Sequence, residues 1–143
     1  MLLVKHLLDR KGHDIWSVDA EAPVLAAIRM MAERGVGALP VMREGRLAGI
    51  VSERDYARKV ILMGRASADT PVAQIMSAPV VTVGPEERVR RCMELMTAKR
   101  IRHLPVVDAG GRMVGMVSIG DLVRAVIEEQ QETIEQLERF IAG

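Results

Sequence analysis

Gly49-Ile50-Val51-Ser52-Glu53-Arg54-Asp55 returns 66 residues later as Gly115-Met116-Val117-Ser118-Ile119-Gly120-Asp121. Upstream, Ser17–Pro40 matches Thr82–Pro105 at a constant spacing of 65 without a gap, so one residue is inserted between the two matched blocks. A repeat of this length sets the architecture before any single residue is read. Two copies are too few for a solenoid. They suit two similar halves closing on each other about a pseudo-twofold axis, with two related clefts. A site residue in one half then has a counterpart in the other.

Each copy reads β-α-β-β-α. Ile15–Val18 and Val80–Val83 are predicted as short strands. Val24, Ala27, Ile28 and Met31 recur at helical spacing, as do Val89, Cys92, Met93 and Met96, which predicts helices over Pro23–Arg34 and Glu86–Lys99. Two hairpins follow: Ala38–Met42 with Leu47–Val51, and His103–Val107 with Met113–Val117. A second helix starts just after Ser52 and just after Ser118. Gly64–Thr70 reads as a linker. Val72–Met76 resembles Val4–Leu8, which gives each half a short helical lead-in. The fold class is α+β, with a first repeat over 1–65, a second over 66–127 and an extension of the last helix over 128–143.

That last helix departs from the repeat. Leu122–Ile141 contains no Gly or Pro, and Val123, Ile127, Gln130, Ile134, Leu137 and Ile141 fall at alternating steps of four and three. This is a heptad seam with one polar interruption, Gln130. The helix either crosses its own module or packs on a partner chain. An apolar seam with a charged back favours the partner.

Composition narrows the function. Hydrophobic and charged fractions of 49% and 27% are ordinary for a globular chain. Aromatics at 2% leave no stacking platform for single-stranded nucleic acid, and a net charge of +1 provides no field to attract nucleic acid or membrane. No apolar run approaches the roughly 20 residues of a membrane span, and the first ten residues are too few and too charged for a signal peptide. The single cysteine, Cys92, fits a reducing compartment, and a cytoplasmic protein is expected. His6 and His13 read as surface residues. Three histidines and one cysteine show no metal-ligand spacing, and no nucleophile motif or P-loop occurs.

The chemistry lies in Gly-φ-φ-Ser-x-x-Asp. The serine ends a strand and opens a helix, so its hydroxyl and the first free N–H groups converge where an anion such as phosphate would sit. One turn on, the aspartate can accept hydrogen bonds from two neighbouring ribose hydroxyls. The glycine lets a ligand approach the backbone closely. Ser-x-x-Asp is also close to a helix capping box, and capping and binding are compatible.

Taken in order and twice over, these pieces resemble a tandem pair of CBS domains, named after cystathionine β-synthase. The matching stretches are Ala38-Leu39-Pro40-Val41 with Gly49–Asp55, and His103-Leu104-Pro105-Val106-Val107-Asp108 with Gly115–Asp121. The strand entries Trp16-Ser17-Val18 and Val81-Thr82-Val83-Gly84-Pro85 also fit. The resemblance implies a regulatory module that binds adenosine-containing ligands such as AMP, ADP, ATP, NAD or S-adenosylmethionine. It implies that Asp55 and Asp121 hold ribose, that Ser52 and Ser118 meet phosphate, and that the neighbourhoods of Ser17 and Thr82 line the adenine pocket. Arg54 and Gly120, inside the motif, join the candidate site. Arg102 and His103 stand where the first half has Gly37 and Ala38. They resemble the basic pair that meets nucleotide phosphates in the regulatory subunit of AMP-activated protein kinase, and by that analogy they face the ligand held by Asp55. The family also forms flat dimers of pairs, which implies a homodimer here, and a regulatory role implies a protein target. Two functions compete: an adenine-nucleotide sensor, and a structural module with vestigial clefts that acts through its terminal helix. An enzyme is not expected, because the repeats leave no room for a catalytic domain.

Overall fold

The computed structural model describes residues 1–142. Its elements run α1 (Val4–Lys11), β1 (Val18–Asp19), α2 (Val24–Arg34), β2 (Ala38–Arg43), β3 (Arg46–Ser52), α3 (Glu53–Tyr56), α4 (Val89–Lys99), β4 (His103–Val107), β5 (Met113–Ser118) and α5 (Ile119–Ala142). A π-helical turn, Ala57–Ile61, continues α3, and a 3-10 turn covers Val72–Gln74. Helices and small sheets are thus mixed, as in the expected α+β class.

Both hairpins form in equivalent register. Ala38 stands opposite Ser52, and His103 opposite Ser118; each ladder shifts once, after Val41 and after Val106. The first turn is two residues, Glu44 and Gly45, both at positive φ (51° and 77°), as the twist of a tight hairpin demands. The second turn is longer. There the Asp108 carboxylate accepts from the backbone N–H groups of Gly110 (3.0 Å) and Arg112 (2.9 Å). The inserted residue that moves the repeat spacing from 65 to 66 is taken up in this turn.

The strands expected at Ile15–Val18 and Val80–Val83 are corrected. The first is displaced to Val18–Asp19, which pairs in parallel with Val41 and Met42. The second shrinks to a single bridge, Val83 to Val106. The reason is the proline on each partner strand. Val83 N–H donates to Pro105 O (3.1 Å) and Val107 N–H donates to Val83 O (2.9 Å). The next bond towards the N-terminus would need an N–H that Pro105 lacks, and Pro40 blocks the ladder in the same way.

Helices α2 and α4 bury the same face: Val24, Ala27 and Met31 in one, Val89, Cys92 and Met96 in the other. They begin at Val24 and Val89, so the start expected at Glu86 moves one turn later. Neither has a side-chain cap. Instead, Val24 N–H donates to Thr70 O (2.8 Å), Leu25 N–H to Ser67 O (3.0 Å), and Val89 N–H to Leu2 O (3.0 Å). Gly64–Thr70 is therefore not a plain linker. It is the backbone cap of α2, held by the buried Thr70, whose hydroxyl donates to Ala66 O (2.8 Å).

The chain divides into two compact units, Ile15–Val81 and a second made of Met1–Asp14 with the chain from Thr82 onward. The sequence repeats and the compact units are different partitions, because each lead-in docks on the hairpin of the other repeat. Val72 N–H donates to Ala22 O and Val4 N–H to Glu87 O, both at 2.8 Å, at equivalent places. In the Ile15–Val81 unit the core gathers Val18, Val24, Leu39, Val41, Val51, Val60, Val72 and Ile75. In the other, Leu8, Val89, Leu104, Val106, Val117 and Leu122 are buried.

Two glycines admit the lead-ins. A β-carbon on Gly49 would lie 2.6 Å from Met76 Sδ and 3.0 Å from Ser77 O; one on Gly115 would lie 2.7 Å from Leu8 Cδ2. Neither glycine has positive φ, so the constraint is space alone. We expect Gly49→Ala and Gly115→Ala each to lower stability by about 1–3 kcal/mol through overpacking. Gly49→Ala should cost more, since a backbone carbonyl cannot withdraw as the end of Leu8 can. Urea unfolding measures both. A Leu8→Ala change should recover part of the Gly115→Ala loss and none of the Gly49→Ala loss.

Candidate functional site

Each hairpin ends in a serine that opens a helix, and each serine is closed by its aspartate. In the Ile15–Val81 unit, the Ser52 N–H and hydroxyl donate to Asp55 Oδ2 at 2.9 and 3.0 Å, and Asp55 N–H donates back to Ser52 Oγ at 3.2 Å. In the other unit, Ser118 N–H donates to Asp121 Oδ2 at 2.8 Å, and Asp121 N–H to Ser118 Oγ at 3.2 Å. The capping boxes read from the sequence are therefore formed.

The carboxylates differ in what else they hold. Asp55 is 7% exposed. Its Oδ1 lies 3.1 Å from Lys59 Nζ and accepts from Ser77 Oγ at 3.4 Å, and Lys59 also donates to Ile75 O at 2.9 Å. Position 125, the counterpart of Lys59, is alanine. Asp121 instead receives Lys11, from α1: Lys11 Nζ donates to Asp121 Oδ2 at 2.6 Å and to Met116 O at 2.5 Å. Met116 O is the counterpart of Ile50 O, which accepts from Ser77 N–H at 2.8 Å. The same strand carbonyl is thus closed by an amide in one unit and by an ammonium in the other. Asp121 Oδ1 has a looser neighbour, Arg124 Nη1 at 3.9 Å. It borders a cleft of about 150 Å³ lined by Leu2, Leu7, Arg10, Lys11, Arg124 and Glu128.

Electrostatics follow from these contacts. Burial alone would raise the Asp121 pKa. The Lys11 hydrogen bond, the Ser118 N–H and the Lys11 charge outweigh it and hold the carboxyl below the usual range. His103, opposite Ser118, is pushed below the ordinary imidazole value by burial and then by the Lys11 charge, against a smaller opposing pull from Asp121. Cys92 is raised to about 11 by burial and the nearby Glu87, so its thiol is inert near neutrality.

Ser17 and Thr82 are exposed, each one residue before the valine that bridges to the hairpin. Arg54 and Gly120 are exposed in the first turns of α3 and α5. Arg102 is exposed, and its carbonyl accepts from Ile119 N–H at 2.9 Å. Arg102 and His103 lie in the compact unit of Asp121, and Asp55 lies in the other. The glycine expectation is corrected: the space beside Gly49 and Gly115 is filled by Met76 and Leu8, not left open to a ligand. The sequence reading missed Lys11, Lys59 and Ser77. Lys59 could have been found as the i+4 partner of Asp55 on a helix. Lys11 had no such signal. Among the described residues no group of His, Cys, Asp or Glu is arranged to hold a metal ion, and no helix is long and apolar enough to cross a membrane.

The shifts of His103 and Asp121 are downward, so these two groups bind fewer protons folded than unfolded. Each contributes stability that is present above its unfolded pKa and lost as pH falls through its folded pKa. Acidification should therefore weaken the fold in two stages: from about pH 6.5 downward through His103, and below about pH 4 through Asp121. In denaturation measured across pH, His103→Gln should remove the upper stage and Asp121→Asn the lower.

The model of the CBS domain matches residues 4–61 and 72–128. CBS domain-containing protein CBSX3, mitochondrial, of Arabidopsis thaliana is 49% identical over 137 residues, 92% of this chain; the chain spans 66% of that protein's length. The solved structure of a protein with CBS domains from Burkholderia ambifaria superposes with a TM-score of 0.85 at 47% identity, covering 90% of this chain and 96% of that one. The CBS domain pair of protein MJ0100, solved in complex with 5-methylthioadenosine and S-adenosyl-L-methionine, superposes with a TM-score of 0.80 at 25% identity, covering 90% of this chain and 98% of the other. Two matched repeats that span most of the sequence, each with its own capped hairpin, make this chain a member of the CBS domain family, carrying a tandem CBS pair.

Proposed function

We propose that the protein is a regulatory sensor of an adenosine-containing ligand: AMP, ADP or ATP, with NAD(H) and S-adenosylmethionine as further candidates. The observation that carries this reading is the doubled Ser–Asp cap, with a shielded carboxylate held by a lysine at the end of each hairpin. The adenosine derivatives held by the MJ0100 pair support the ligand class. In this reading Asp55 and Asp121 receive ribose hydroxyls, Ser52 and Ser118 lie near phosphate, and Arg54 and Gly120 border the same turns. Ser17 and Thr82 border adenine, and Arg102 and His103 meet phosphate. The repeats act as the functional segments 1–65 and 66–127, with 128–143 as an extension. No catalysis is assigned to the chain. It works as a homodimer on a protein target of unidentified kind, signalling through conformational or oligomeric change. A cytoplasmic location rests on the lone, inert Cys92; the Arabidopsis relative is named as mitochondrial.

One observation favours the competing reading of a structural module. Each carboxylate already holds a lysine, Lys59 or Lys11, so ribose must share or displace an ammonium. Asp121 is the easier of the two, because one of its oxygens has only the loose Arg124 contact.

Titration calorimetry of the whole chain with AMP, ADP, ATP, NAD and S-adenosylmethionine separates the readings. Saturable binding is expected with at least one. Asp55→Ala and Asp121→Ala should each weaken their own site by about 1–3 kcal/mol. Arg102→Ala should weaken ADP and ATP more than adenosine. Silence with all five ligands would leave the structural reading. Light scattering should give the mass of a dimer or a dimer of dimers, and a monomer at micromolar concentration would contradict the homodimer.

A further inference from the structure

The outer part of α5 presents an apolar stripe that its own unit does not cover. Val123, Ile127, Ile134, Leu137 and Ile141 are all exposed, Ile127 at 58% and Leu137 at 56%. The face turned to the unit is a different one, carrying the buried Leu122 and Ala125. The polar back is tied down as well: Arg10 reaches Glu128 at 3.5 Å and Glu132 at 3.9 Å. At 100° per residue these glutamates lie on the side of the helix away from the stripe.

We propose that this stripe pairs with the same stripe of a second copy as a parallel two-stranded coiled coil, in the register that sets Gln130 against Gln130. The proposal rests on the homodimer read above and specifies its surface and direction.

The seam residues carry the choice of direction. With Ile127 at position a, Ile134 and Ile141 also fall at a, while Val123, Gln130 and Leu137 fall at d. Isoleucine at every a position, with leucine at the d position 137, follows the pattern of two parallel strands. Glu128, Glu129, Glu132 and Glu135 fall at b, c and f, away from the seam. Across a parallel pair, Val126 meets the partner's Gln131 and Thr133 meets the partner's Glu138, so no like charges face each other.

An antiparallel pair is the alternative occupant geometry. It would bring Arg124 near the partner's Glu138, but that pair is exposed and screened by salt. It would also set each Gln130 against the partner's Ile134. Two amides would then be enclosed without a partner, which costs more than a surface ion pair returns. In the parallel register the two Gln130 amides can bond each other, and a single polar seam position of this kind fixes alignment.

Single-cysteine variants of the full chain test the direction. Position 137 faces itself in the parallel coil, and faces position 127 in the antiparallel one. Leu137→Cys, oxidised in air and run without reductant, is expected to move most of the protein into a covalent dimer. Cys92 is buried and does not compete. Ile127→Cys mixed with Leu137→Cys is expected to give homodimers of each, with few mixed dimers. Predominantly mixed dimers would overturn the parallel direction. A wild type that scatters as a dimer while Leu137→Cys fails to crosslink would place the interface elsewhere and leave the homodimer standing. A monomeric wild type would remove both.

Discussion

The contact of a lead-in side chain with a bare glycine on the hairpin is the constraint on which the remaining structure depends. Leu8 sits where a β-carbon of Gly115 would be, and Met76 where one of Gly49 would be. Once that contact is made, the chain's direction fixes its consequences. Lys11 lies one helical turn after Leu8 and so arrives at Asp121. Ser77 follows Met76 directly and arrives at Asp55. The backbone does the same at the next helix, where Leu2 and Thr70 cap α4 and α2. A small stretch of sequence thus joins core packing, helix capping and the charge balance of the candidate site.

The two units solve one electrostatic problem in two ways. A carboxylate drawn out of water needs hydrogen-bond donors and an opposite charge beside it. Asp55 is paired from its own helix by Lys59, with Ser77 as a further donor, which leaves both of its oxygens occupied. Asp121 cannot be paired in that way, because Ala125 stands at the counterpart of Lys59. It is paired by α1, and one oxygen stays nearly open beside the cleft. The halves already differ in that Arg102 and His103 stand where the first has Gly37 and Ala38, and the lysines add a second asymmetry. It makes Asp121 the more accessible group and ties its protonation to the docking of α1.

Much of this was legible in the sequence. The repeat gave the two hairpins, the apolar spacing gave α2 and α4, and Ser-x-x-Asp gave both caps. The errors have local causes. Pro40 and Pro105 sit within regular strand patterns, yet they remove the N–H that a longer parallel ladder needs, so the entry strands came out misplaced or too long. Gly64–Thr70 has a linker's composition, and its role as a cap lies in backbone carbonyls, which composition does not reveal. Lys11 and Asp121 are 110 residues apart, and the repeat offers no equivalent pair to point to them. The glycines were correctly read as sites of close approach, but the approaching group is protein. The α5 stripe was legible as a seam, and its exposure is what the structure adds.

The central claim is that the lysine-held carboxylates are where an adenosine ligand's ribose binds. Carboxyl-carbon NMR of the aspartates during a titration with AMP tests it most directly. The expected result is a saturable shift of the Asp121 resonance as ribose hydroxyls replace or join Lys11, with Asp55 moving less or at higher concentration. Saturable AMP binding with both carboxyl resonances unmoved would contradict the claim, and so would the absence of any binding.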